Sequence, residues 1–104
     1  METVKRIEII VNYVELSKIL EGLEKSGVQG YTIIRDVAGK SDHGHHSQDL
    51  AVTMLDNVYI LAFCKPERID RIAANIGVVL NRYGGSCFIS DSMELPTTRC
   101  VGRQ

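Results

Sequence analysis

Apolar and polar residues alternate in the first part of the chain, from Arg6 to Tyr13. Only Ile10 breaks the alternation, and the other apolar positions share one face: Ile7, Ile9, Val11 and Tyr13. Successive side chains of a β-strand point to opposite faces, so this period of two predicts a strand with one buried face. The chain is therefore expected to begin with an amphipathic strand.

The period changes after this strand. Apolar residues now recur at helical spacing, at Leu16, Ile19, Leu20 and Leu23. Ser26 and Gly27 follow, and a glycine in this place is typical of a helix C-terminus because it adopts the left-handed conformation without steric cost. The pattern predicts a first helix over about Glu15 to Lys25.

Two strands are predicted on either side of a long polar segment. The first runs from Tyr31 to Val37 and is rich in β-branched residues, and the second runs from Asn57 to Cys64. The second strand is apolar at nearly every position, which predicts burial of both its faces. Two helices can cover only one face of the sheet, so we expect a second copy of the chain to cover the other.

A second helix and a fourth strand complete the pattern. Pro66 is typical of a first helical turn, and an apolar stripe runs from Ile69 to Tyr83. Gly84-Gly85 ends this helix, and Ser86 to Leu95 predicts the last strand. The order predicts an α+β, ferredoxin-like βαββαβ fold, with a four-stranded antiparallel sheet, two helices on one face and a long loop between strands 2 and 3.

Composition is consistent with one domain spanning residues 1–104, with a flexible loop at about 39–56 and a polar C-terminal tail at about 96–104. The net charge of -1 argues against nucleic acid as a partner. Neither an apolar N-terminal segment nor a run of membrane-spanning length is present, which predicts a cytoplasmic protein. Cys64 and Cys87 fall in strands, where a thiol behaves as a small hydrophobic side chain, whereas Cys100 falls in the polar tail, which favours an exposed thiol.

Three stretches carry a resemblance to a known family. They are Gly30-Tyr31-Thr32, the long loop, and Gly84-Gly85 between the second helix and the last strand. Together they resemble the PII signalling proteins. The turn from Arg82 to Asp91 is short and is similar to that of the PII-like branch associated with bicarbonate transport. The longer turn of nitrogen-regulating members, with its aspartate-glycine-lysine sequence, is missing, so ATP and 2-oxoglutarate sensing is not expected.

The resemblance implies a homotrimer that binds adenine nucleotides in clefts between subunits, with AMP, ADP or cyclic AMP ahead of ATP. Gly30, Tyr31 and Thr32 would hold the adenine end, and Gly84 and Gly85 would form the adjacent floor. The base of the long loop, called the T-loop in this family, would face the phosphates with Gly39, Lys40 and Ser41. The loop would regulate a membrane transporter, for bicarbonate or a related anion, and recruit the protein to the membrane.

Two histidines depart from the family pattern. Carbon-linked relatives carry arginines where His43 and His46 stand here. Histidine has a reference pKa of about 6.5 and loses its charge in the physiological range, unlike arginine. We therefore expect ADP or AMP to bind more weakly at pH 8 than at pH 6. Titrations at the two pH values test this, and equal affinities would contradict it.

Two other functions compete for the same residues. Asp42, His43, His45, His46 and Asp49 could bind zinc, nickel or copper, which makes a metal-binding trimer the alternative. An enzyme is not expected, because the histidines lie in one loop and no nucleophile is paired with a base. Titration with metals separates the metal-binding hypothesis from the nucleotide sensor.

Overall fold

The computed structural model describes residues 1–38 and 56–101. The elements are β1 (Glu2–Asn12), α1 (Leu16–Lys25), β2 (Tyr31–Val37), β3 (Asn57–Cys64), α2 (Ile69–Tyr83) and β4 (Ser86–Glu94). A single 3-10 turn precedes each helix, at Tyr13–Glu15 and at Pro66–Arg68. The predicted order is confirmed. Two boundaries differ, since β1 begins earlier than Arg6 and Tyr13 belongs to the turn instead of the strand.

The four strands form one antiparallel sheet in the order β2-β3-β1-β4. This confirms the ferredoxin-like fold, because both crossovers place their helix on the same face of the sheet. Ile9 lies at the centre of that face, opposite Ile60 of β3 and Cys87 of β4. The core between sheet and helices is aliphatic, and its members include Ile7, Val11, Ile19, Leu23, Val58, Ile72 and Ile76.

The C-terminus of α1 has the glycine geometry that the sequence predicts. Gly27 has φ 85°, and its N–H donates to the Glu24 carbonyl at 3.0 Å. The N–H of Val28 donates to the Leu23 carbonyl at 2.9 Å, which completes a Schellman motif. The chain therefore turns sharply at this point and delivers Gly30 to the start of β2.

A buried polar network joins α1 to α2. Ser26 is fully buried, and its hydroxyl donates to the Gly22 carbonyl at 2.7 Å. The same hydroxyl oxygen accepts a hydrogen bond from Asn75 Nδ2 at 2.9 Å. Ile76 packs closely at this crossing, because a Cβ on Gly22 would lie 3.0 Å from its Cδ1. The helices are thus fixed against each other beside the α1–β2 turn.

The segment after β4 packs against the domain, contrary to the prediction for Cys100. This side chain is only 3% exposed, and Val101 is half-buried in the wall of a cavity next to Phe63. The prediction was wrong because it relied on the polar residues around Cys100, whereas burial of a single thiol depends on the surface that the chain folds onto. Cys64 is buried as expected, and burial raises the pKa of its thiol.

Candidate functional site

One cavity among the described residues lies at the end of the sheet where β2 begins and β3 ends. Its volume is about 590 Å³. Five parts of the chain line it: the α1–β2 turn, the first two residues of β2, the last residues of β3, the β3–α2 connection, and Val101. The cavity is therefore built from segments that are far apart in sequence.

The cavity includes three of the residues that the resemblance implies. Gly30, Tyr31 and Thr32 all line it and are exposed. A Cβ on Gly30 would meet no atom within 4 Å, and no positive φ constrains this residue. Nothing in the fold of the described chain therefore requires a glycine there, and its small size leaves space beside the cavity.

Two cationic residues in the cavity wall were missed by the sequence interpretation. Lys65 precedes the turn before α2, Arg68 is the last residue of that turn, and both line the same cavity as Gly30. The signal was present in Lys65-Pro66-Glu67-Arg68, which was interpreted only as a helix start. Sequence alone did not show that the β3–α2 connection meets the α1–β2 turn, so these cations were not assigned to a site.

Gly84 and Gly85 do not reach this cavity within one chain. They precede β4, whereas the cavity lies beside β2, and these two strands form opposite edges of the sheet. Three strand spacings separate the edges, roughly 14 Å across the sheet. Adjacency of the two glycines to Gly30 would therefore require a second subunit.

The remaining predicted positions, Gly39, Lys40, Ser41, His43 and His46, lie outside the described residues, as does His45 of the metal alternative. Residues 1–38 and 56–101 contain no cluster of three or more histidine, cysteine or acidic side chains that could bind a metal. The roles of these loop residues stay predictions.

The sheet face opposite the helices combines apolar side chains with a polar network. Ile34 is 53% exposed and Phe88 is 63% exposed. At the centre of this outer face, the Tyr59 hydroxyl donates to Glu8 Oε2 at 2.6 Å, and Arg6 Nη2 lies 3.3 Å from the same oxygen. The hydrogen bond to the Glu8 carboxylate raises the pKa of Tyr59. This face has the mixed character of a surface that another protein copy covers.

A family model matches this architecture. The model for nitrogen regulatory protein P-II covers residues 4–99, which is almost the whole chain. The chain belongs to the P-II family. A comparison of the chain with curated proteins found no match. Neither described helix is long and apolar enough to cross a membrane.

Solved structures with the same fold include other PII-like proteins. CPII from Thiomonas intermedia K12, bound to ADP, AMP and bicarbonate, is 23% identical, with a TM-score of 0.73 over 88% of this chain and 87% of that chain. CPII bound to ADP, AMP and acetate is 22% identical, with a TM-score of 0.73 over 86% of each chain. A PII-like signalling protein from Thermus thermophilus is 19% identical, with a TM-score of 0.66 over 86% of this chain and 87% of that chain. At these identities, the likeness establishes the fold of this P-II family member.

Proposed function

We propose that this protein is a PII-like regulator that binds an adenine nucleotide, with AMP, ADP or cyclic AMP preferred to ATP. The observation that supports this proposal is the cavity lined by Gly30, Tyr31 and Thr32, the segment that resembles the adenine end of the family site. Apolar side chains of Leu61 and Phe63 line the same cavity and offer surface to a flat base. The ADP and AMP bound to CPII, a protein of the same fold, support this choice of ligand.

The protein acts as a homotrimer in this proposal. Two features support assembly: the outer sheet face leaves large apolar side chains exposed, and the two glycine segments lie at opposite edges of one chain. The Nε of Arg6, on the same face, is buried without a hydrogen-bond partner among the described residues, so a neighbouring subunit could supply the acceptor. Clefts between subunits would then combine Gly30 of one chain with Gly85 of the next.

Nucleotide binding serves signalling in this proposal, with no catalytic step. The ligand would change the population of conformations of the 39–56 segment through contacts made in only one of them. That segment would then engage or release a membrane transporter, for bicarbonate or a related anion, at the cytoplasmic face. The bicarbonate bound to CPII supports the link to inorganic carbon.

Calorimetric titration with AMP, ADP, ATP and cyclic AMP tests the nucleotide site. A leucine at Gly30 would project into the open space beside the cavity, so we expect Gly30→Leu to weaken ADP binding about tenfold or more. Gly77→Leu is the matched control, because Gly77 lies in α2 outside the cavity lining and also has no atom within 4 Å of an added Cβ. Equal ADP affinities for the two variants would contradict the site.

The same preparation tests the assembly and the alternative function. Light scattering should give the mass of three 11.6 kDa chains. Absence of saturable nucleotide binding would contradict the proposal. Tight zinc or nickel binding that is lost on replacing His43, His45 and His46 would favour the metal-binding alternative instead.

A further inference from the structure

The β3–α2 connection carries a concentration of positive charge that has no ion-pair partner among the described residues. Lys65, Arg68 and Arg71 line a second pocket of about 310 Å³ next to the main cavity, and among the described residues Glu67 is the one acidic side chain that lines it. None of the three cations forms an ion pair with any residue in the described ranges 1–38 and 56–101. Lys65 and Arg68 line both pockets, so the excess charge extends into the main cavity.

The guanidinium of Arg68 is held in a defined place. It lies directly against Gly27, because a Cβ on that residue would overlap Nη1 and approach Cζ to 2.8 Å. Nη1 also donates to the Ser26 carbonyl at 3.5 Å, a long hydrogen bond to the backbone at the end of α1. A guanidinium has five N–H donors, so most of its donor capacity stays available to a ligand.

The rest of the main cavity has a different character. Val28, Tyr31, Leu61 and Phe63 supply apolar surface to the cavity, which Lys65 and Arg68 also line. The turn residues Gly27, Gln29 and Gly30 also line the cavity. The cavity therefore combines an apolar part with a cationic part rich in donors.

We propose that Lys65 and Arg68 bind an oxyanion in this cavity. An ammonium next to a planar guanidinium matches the charge and geometry of a phosphate or carboxylate-like group, since guanidinium donors pair with two oxygens at once. The oxyanion is either the phosphate of the adenine nucleotide or a separate bicarbonate ion. The first source places the phosphate beside the start of β2, whereas the resemblance implies phosphates at residues 39–41, which follow the C-terminal end of that strand. The first source rests on the nucleotide binding proposed above, whereas the second is independent of it. The bicarbonate and acetate bound to CPII make a small oxyanion a reasonable companion ligand.

The test compares the Lys65→Gln/Arg68→Gln double variant with Arg71→Gln. Arg71 lines only the second pocket, so its replacement removes charge from the same connection without altering the main cavity. Each protein is titrated with ADP, AMP, adenosine and sodium bicarbonate at constant ionic strength. Thermal unfolding of both variants beside the unmodified protein verifies that the substitutions leave the fold intact.

The proposal predicts that the double variant loses about tenfold or more in affinity for the oxyanion, and that Arg71→Gln loses much less. Weaker ADP and AMP binding with unchanged adenosine binding identifies the phosphate as the oxyanion. Loss of bicarbonate binding with unchanged nucleotide binding identifies the separate ion. Unchanged affinities for all ligands, an equal loss in Arg71→Gln, or no binding of either oxyanion by the unmodified protein would overturn the assignment.

The same titrations also distinguish a failure of the proposed nucleotide function from a failure of the proposed oxyanion site. If the unmodified protein binds no adenine nucleotide, the proposed function fails, and the bicarbonate titration alone decides the role of Lys65 and Arg68. If nucleotide binds normally to every variant and bicarbonate binding does not depend on the pair, the oxyanion site fails and the nucleotide function stands.

Discussion

Replacing Gly85 with alanine is expected to lower the free energy of unfolding by about 2–5 kcal/mol. Two costs combine. The φ of 118° is a conformation that residues with a Cβ rarely adopt. The added Cβ would also lie 2.6 Å from Val11 Cγ1, 2.9 Å from the Ile10 carbonyl oxygen and 3.0 Å from Leu80 Cδ2. The neighbours include backbone of the central strand β1, which cannot move aside cheaply.

Two other glycines provide controls for this prediction. Gly84 has φ 89° but no atom within 4 Å of an added Cβ, so Gly84→Ala should show the backbone cost alone, about 1–2 kcal/mol. Gly30→Ala has neither cost and should change stability by less than about 0.5 kcal/mol. Urea unfolding at one fixed protein concentration, followed by circular dichroism, gives all three values. A Gly85→Ala variant as stable as Gly30→Ala would contradict the close packing.

Replacing Ile60 with alanine is expected to cost about 2–5 kcal/mol of unfolding free energy. Ile60 is fully buried in the middle of β3, paired with Ile9 on one side and Ile33 on the other. Its truncation would leave a cavity in the core between the sheet and the helices, and strands paired on both sides cannot close in to fill it. The lost packing therefore adds to the lost hydrophobic burial.

Ile60→Val is the matched comparison, because it removes one methylene from the same site and should cost about 0.5–1.5 kcal/mol. Both variants are measured by urea unfolding beside the unmodified protein. Ile60→Ala and Ile60→Val are expected to differ clearly. If both variants lost the same small amount of unfolding free energy, the core around Ile60 would tolerate a cavity. That result would contradict the expected cost of truncating this buried side chain.

Gly85 and Gly30 differ in what their substitution would reveal about the nucleotide site. The resemblance assigns Gly85 to the floor of the site, yet its contacts with Val11 and Leu80 provide a reason for glycine that involves folding only. A loss of nucleotide binding in a Gly85 variant would therefore be ambiguous. Gly30 has no such structural role in the described chain, so its variants report on the ligand.

Several features of the protein follow from local sequence alone. The switch from a period of two near Ile9 to a helical period near Ile19 predicted the first strand and helix, because these periods reflect how each element presents side chains to one face. Gly27 predicted the end of α1 because the left-handed cap conformation is a local requirement. The order of elements was sufficient to predict the fold, and the glycine stretches were sufficient to suggest the family.

Other features depend on residues that are distant in sequence, and only the tertiary structure decided them. Cys100 is buried because its segment folds onto the domain, which the polar residues around it did not indicate. Arg68 lies against Gly27, and Lys65 and Arg68 line one cavity with Gly30, because two connections lie side by side at one end of the sheet. Gly85 lies at the opposite edge from Gly30 because of the strand order. Hydrophobic periodicity describes one element at a time, whereas cavities, burial and charge clusters are set by how the elements pack.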